Sequence, residues 1–175
     1  GDGLNIVGVN LPHIVFQPIE GQVQYKTQDV TPVFWFHYTP DALVVPEGSP
    51  IKNFADFIKA AKADPGKVSL GGSGLNSANH GAHERLNAAF GVKTNYIPYK
   101  GTGDMNMAIQ RAEVDGRVIS DEAAALYGPS SGMHILTILA RKRSEKFADV
   151  PTIFEAVKLS PIAERLLDWR ANIAS

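Results

Sequence analysis

The sequence predicts an α/β protein, a parallel-rich sheet flanked by helices, on three observations. From residue 42 onward, short β-branched or apolar runs alternate with stretches of helical apolar spacing. The junctions that lead into helices are rich in Gly, Ser and Thr, and Pro or Gly closes several helical stretches. The chain of 175 residues, 44% hydrophobic and 20% charged, is long enough to bury a sizeable core without a disulfide or metal staple.

The elements follow in order. Residues 4–9 form a short apolar run with strand character, and 8–20, with two prolines and little periodicity, read as irregular. The aromatic run 33–37 (VFWFH) predicts a strand. The Thr39-Pro40-Asp41 turn leads to a second strand at 42–45, and 46–50 is a loop with prolines at both ends. A helix is predicted over 53–63, with Asn53 as N-cap, Phe54, Phe57, Ile58 and Ala61 on one face, and Asp64-Pro65-Gly66 as the stop. A strand at 68–70 precedes a helix at 78–90, which buries Ala82, Leu86, Ala89 and Phe90 and ends on Gly91 as a left-handed cap. Then come a strand at 94–97, a helix at 104–112, a strand at 117–120, a short helix at 121–127 and a strand at 134–140. Helical stretches near 152–157 and 162–173 complete the chain.

Composition excludes several function classes. The 17 Lys+Arg balance 18 Asp+Glu, which argues against nonspecific nucleic-acid or anionic-membrane binding. No apolar run approaches the roughly 20 residues that span a bilayer. The absence of cysteine rules out a disulfide framework, a Cys-ligated metal and thiol catalysis. The chain opens on Gly rather than Met, which predicts processing or truncation.

In a parallel sheet the ligand crevice lies outside the carboxyl ends of the strands. Three strand-to-helix junctions are therefore candidates. The loop 71–77 carries three glycines that let a ligand approach the backbone. Gly72 and Gly74 are the central ones, and Ser73, Asn76 and Ser77 add polar side chains before a helix N-terminus. Such an end has unpaired N–H groups and about half a positive charge, and favours a phosphate or carboxylate. The alternative is an ordinary turn with Asn76 or Ser77 as N-cap. Lys100-Gly101-Thr102-Gly103 repeats the arrangement one unit later, Thr102 serving as cap or hydroxyl donor. At 120–121, Asp121 either orients a ligand hydroxyl or amine, or caps the following helix.

Sharper motifs fail. Gly72-Ser73-Gly74-Leu75-Asn76-Ser77 lacks the last glycine of a dinucleotide fingerprint, and no Gly-Lys-Ser/Thr exists for a nucleotide loop. Gly71-Gly72-Ser73-Gly74-Leu75 lacks the closing glycine of a hydrolase elbow. His80, His83 and Glu84 (H-x-x-H-E) share a helix face that a divalent metal could use, in neither metalloprotease order. His80, one turn into the helix, is the better candidate as ligand contact. Tyr99 either walls the crevice or packs in the core, and Arg141-Lys142-Arg143 reads as solvated.

Several ordered segments resemble the substrate-binding receptors of tripartite tricarboxylate transporters, the Bug receptors. They are Leu43-Val44-Val45-Pro46, Phe54-Ala55-Asp56-Phe57-Ile58, 60–68 (AAKADPGKV), 71–80, and Ile97-Pro98-Tyr99-Lys100-Gly101. Arg143-Ser144 and 149–156 (DVPTIFEA) continue the series, and Gly1-Asp2-Gly3-Leu4 is similar to the family's Asp-Gly-Tyr-Thr-Leu start of a strand. The resemblance implies a two-lobed periplasmic binding protein of type II-like fold that closes on a small carboxylate and delivers it to membrane permease subunits. It implies no cofactor, no metal and no bond-making chemistry. The implied ligand contacts are Gly72, Ser73, Gly74, Asn76, Ser77, His80, Gly101, Thr102, Gly103 and Asp121.

The family's upstream strand and Pro-Pro-Gly-Gly-type loop have no match here, so mostly the second lobe with parts of the first is expected. The expected division is 1–45 as partial first lobe and crossing segment, 46–140 as ligand-binding lobe, and 141–175 as an incomplete return segment. Two alternatives stay open: a metal-dependent hydrolase built on His80, His83 and Glu84, and a non-binding fragment that self-associates.

Overall fold

The computed structural model describes residues 3–9, 13–21, 23–34, 39–75 and 77–173. The chain divides into two compact units, 1–37 and 38–175.

Within the first unit, residues 4–9 form no strand, and Leu4, Ile6 and Val7 are largely exposed. The segment read as irregular contains helix α1, His13–Glu20, with Pro18 inside it. Pro18 removes one amide donor and masked the helical period, yet a helix this short loses only one bond to it. Thr27 Oγ1 donates to the Ile14 carbonyl at 2.9 Å, tying the 3-10 turn Thr27–Asp29 back to α1. Val33 and Phe34 lie in no strand, and the rest of the run 33–37 is outside the described residues.

The second unit carries a five-stranded sheet. Its elements are β1 (Asp41–Pro46), α2 (Phe54–Ala63), β2 (Ser69–Gly72), α3 (Ala78–Phe90), β3 (Asn95–Pro98) and α4 (Thr102–Gln110). They continue with β4 (Gly116–Ser120), α5 (Asp121–Ser131), β5 (Met133–Leu139), α6 (Ile153–Ala156) and α7 (Pro161–Ile173). The strand order is β3-β2-β4-β1-β5. β2 runs parallel to β3 and β4, whereas β1 is antiparallel to β4 and β5. Four strands therefore point one way and only β1 is reversed. Because β1 is paired on both edges, the unit begins at residue 38, upstream of the division expected at 45/46.

Local chemistry sets the helix ends. The Asn53 side chain accepts from the Asp56 amide at 2.9 Å, and Ser77 from the His80 amide at 3.2 Å. Gly91 closes α3 at φ 59°, a left-handed conformation that glycine adopts without a Cβ penalty.

Side chains alternate across the sheet. Leu43, Val45, Leu70 and Val118 pack on Phe54 and Phe57 of α2, Ala82 and Leu86 of α3, Ile153 of α6 and Leu167 of α7. On the other face Ala42, Val44, Ile119 and Ile138 meet Ala124 of α5, and Val114 meets Ala108 and Ile109 of α4. Helices thus cover both faces, as a sheet with apolar residues on both sides requires.

Candidate functional site

Because β2, β3 and β4 run the same way, their carboxyl ends share one edge of the sheet. The loops 73–77 and 99–101 and the Ser120-Asp121 junction all leave from that edge. α3 and α4 both start there. The chain leaves β2 toward one face of the sheet and β4 toward the other, which opens a crevice between neighbouring strands at this edge.

Gly71 and Gly72 are the last residues of β2, and both are buried. Gly72 lies beneath Tyr96 of β3: a Cβ there would stand 2.0 Å from the Tyr96 hydroxyl oxygen. That hydroxyl donates to the Gly74 carbonyl at 2.8 Å and lies 3.1 Å from Ser77 Oγ. Ser77 Oγ also donates to the Gly74 carbonyl at 2.8 Å while accepting the His80 amide. The turn is therefore braced from inside by Tyr96 and Ser77. Gly74, at φ 118°, makes a bend that a side chain would strain.

Ser73 is exposed and donates to Asn79 Oδ1 at 2.8 Å, and the Asn79 amide donates to the Val118 carbonyl of β4 at 2.5 Å. Asn79 thus bridges β2 and β4 at the crevice. The sequence reading missed it, although a polar amide in the first turn after a glycine loop was the available signal. Asn76 lies outside the described residues.

His80 is half-buried, its ring 4.7 Å from that of Tyr96, with Nε2 3.7 Å from Glu84. His83 is buried, with both ring nitrogens engaged: Nε2 with Thr94 Oγ1 at 2.7 Å, Nδ1 with Glu84 at 3.1 Å. Burial pushes His83 below the ordinary imidazole value despite the adjacent Glu84 carboxylate. These contacts make His83 a strut between α3 and the start of β3. No group of three or more metal-ligating side chains is assembled among the described residues.

At the second loop Gly101 is the N-cap of α4 and Thr102 its first residue, so Thr102 does not cap. Gly101 has no side chain to offer the first-turn amides, and no side-chain cap hydrogen bond is made at this helix end. Thr102 and Gly103 are exposed, as is Asp104, whose carboxylate stands in the same turn. The α3 end carries no acid in its first turn and is the stronger anion end.

Ser120, rather than Asp121, caps α5, accepting from Ala123 at 3.2 Å. Asp121 is buried and accepts from Ser144 Oγ at 2.6 Å, linking α5 to the segment after β5. Its carboxylate is thus directed into the fold. The Tyr99 ring packs against Gly71 and Val114. The basic run is exposed, as expected, and its two arginines are ion-paired. Arg141 reaches Asp168 at 2.7 Å and Glu164 at 3.0 Å and lies over the Phe154 ring, while Arg143 binds Glu155 at 3.0 Å.

A cavity of about 550 Å³ opens at the opposite edge of the sheet, lined by Pro46, Pro50 and Gly132 with the carboxylates of Glu47 and Asp115. Two acids repel an anion, so this cavity is ill suited to a carboxylate.

Residues 1–164 match the family described as the tripartite tricarboxylate transporter family receptor. A Cupriavidus necator relative, the UPF0065 protein in the gbd 5' region, is 37% identical over 113 residues, 65% of this chain and 34% of its own length. A TctC solute-binding protein from Polaromonas superposes with TM-score 0.73 at 20% identity, covering 93% of this chain and 61% of that one. MatC from Rhodopseudomonas palustris, solved with bound malate, superposes with TM-score 0.67 at 19% identity, covering 93% and 60%. The chain therefore spans about a third of that curated relative and three-fifths of those solved structures.

Proposed function

We infer function from one premise: this chain belongs to the tripartite tricarboxylate transporter family of receptors. Family and fold are those of solute-binding proteins. We propose that the ligand is a small carboxylate, held at the edge of the sheet where β2 and β3 hand over to α3 and α4.

One observation carries the proposal. Two helix N-termini, one braced by Ser77 and Tyr96 and one capped by a bare glycine, sit beside adjacent parallel strand ends. Free amide hydrogens there would bind carboxylate oxygens, each charged hydrogen bond contributing about 1.5–3 kcal/mol. Gly72 and Gly74 keep the backbone accessible, Ser73 and Thr102 supply hydroxyls, and His80 borders the α3 end. The malate in MatC supports testing four-carbon dicarboxylates first. In the cell the receptor would work in the periplasm and hand its ligand to membrane permease subunits. Lobe closure would be the signal they read. Of the segments expected to belong to a first lobe, 1–37 would contribute to it, whereas β1, α6 and α7 belong to the unit that carries the sheet.

Calorimetry against a dicarboxylate panel tests the reading. Binding should weaken about tenfold in Ser77→Ala, which loosens the α3 turn, and several-fold in Thr102→Ala. Binding that neither substitution weakens would place the ligand elsewhere.

Exposed Leu4, Ile6, Val7, Val33 and Phe34 favour a second reading, self-association through the 1–37 unit. Sedentation at rising concentration decides it: a monomer throughout ends that reading, and a dimer abolished by Ile6→Asp or Phe34→Asp supports it.

A further inference from the structure

Arg117 is the anomaly of the sheet. It lies in β4, in register with Gly71 of β2, and is only 2% exposed. Its side chain lies on the face covered by α4, where Nη1 donates to Asn106 Oδ1. Nε is buried without a partner. Among the described residues no carboxylate pairs with it, and the only titratable group raising its pKa is the Tyr127 side chain of α5. Buried charges are ordinarily paired, and an arginine costs free energy when they are not. Burial lowers the guanidinium to about 10, which still leaves it charged at neutral pH.

The position gives that charge a direction. Arg117 precedes Ser120, the carboxyl end of β4, by three residues, or about 10 Å of strand. The Asn79 bridge to the Val118 carbonyl is one residue nearer that end. A cation held under low-dielectric walls, with solvent at the crevice, projects its potential toward the edge where both helix N-termini open. This adds to the partial positive charge of the helix ends.

We propose that Arg117 is a specificity-determining residue of the anion site: a buried cation without a counter-ion that favours doubly charged over singly charged carboxylates. The inference rests on the carboxylate reading above. At an effective dielectric near 20 and a separation of 10–15 Å, one such charge shifts affinity roughly tenfold per ligand charge. A purely structural role would instead weaken ligands of either charge alike.

Asn106→Asp is the sharpest variant, because it supplies the missing counter-ion without emptying the site. Calorimetry at pH 7 and low salt would compare malate with 2-hydroxybutyrate, which replaces one carboxylate by a methyl group. Asn106→Asp and Arg117→Gln should each weaken malate roughly 100-fold and 2-hydroxybutyrate roughly tenfold. Arg117→Lys should keep both within about threefold of wild type. Equal losses for both ligands, or no loss in Asn106→Asp, would overturn the role of Arg117 while leaving the carboxylate reading intact. Wild-type protein that binds neither ligand would overturn both.

Discussion

Gly72 and Tyr96 show how single residues shape the site. The glycine leaves room for the tyrosine hydroxyl to reach the Gly74 carbonyl and Ser77. Tyr96 cannot easily move aside, because the His80 and His83 rings lie 4.7 and 5.3 Å from its own. Gly72→Ala should therefore cost about 1–3 kcal/mol in urea unfolding. An unchanged midpoint would show that Tyr96 is free to turn. His83 gives a pH prediction. Its folded pKa lies below the ordinary 6.5, so the unfolded chain takes up the proton more readily. Its contribution is fully present above about pH 6.5 and is lost as pH falls from there toward the folded value. Melting temperature should drop between pH 7.5 and 5, and the drop should shrink in His83→Gln. An identical pH profile in the variant would remove His83 from the account.

At the scale of elements, the second unit was legible because its signals are local. Asn53 and Ser77 cap where expected, Gly91 ends α3, and the two phenylalanines of α2 face the core. The reversed direction of β1 was not legible, since strand direction depends on partners far along the chain. Nor was the cap at Gly101, because a glycine N-cap leaves no polar side chain to recognise. Helix α1 escaped because Pro18 breaks the period. Gly116 tests the β1–β4 pairing directly. A Cβ there would lie 2.6 Å from the Val44 carbonyl oxygen, part of the neighbouring backbone. Gly116→Ala should destabilise the fold by about 2 kcal/mol or more, exceeding the cost at Gly72, where the obstacle is a side chain. The reverse ranking would contradict the close approach of the two strands.

For the molecule as a whole, topology decides which loops can cooperate. The sequence located the glycine loops, and the parallel pairing of β2 with β3 and β4 brings their ends to one edge. The buried partners of that edge stayed hidden, because Asn79 of α3 reaches a strand 39 residues further on and Arg117 of β4 reaches back to Asn106 of α4, pairings that only the folded chain makes. The most direct test is a malate titration followed by amide chemical shifts across the ¹⁵N-labelled chain. Saturable shifts should concentrate at residues 72–74 and 77–80 and at the first turn of α4, 101–104. Shifts confined to the Glu47 and Asp115 cavity at the opposite edge, or no saturable shifts at these loops, would contradict carboxylate capture by the helix ends.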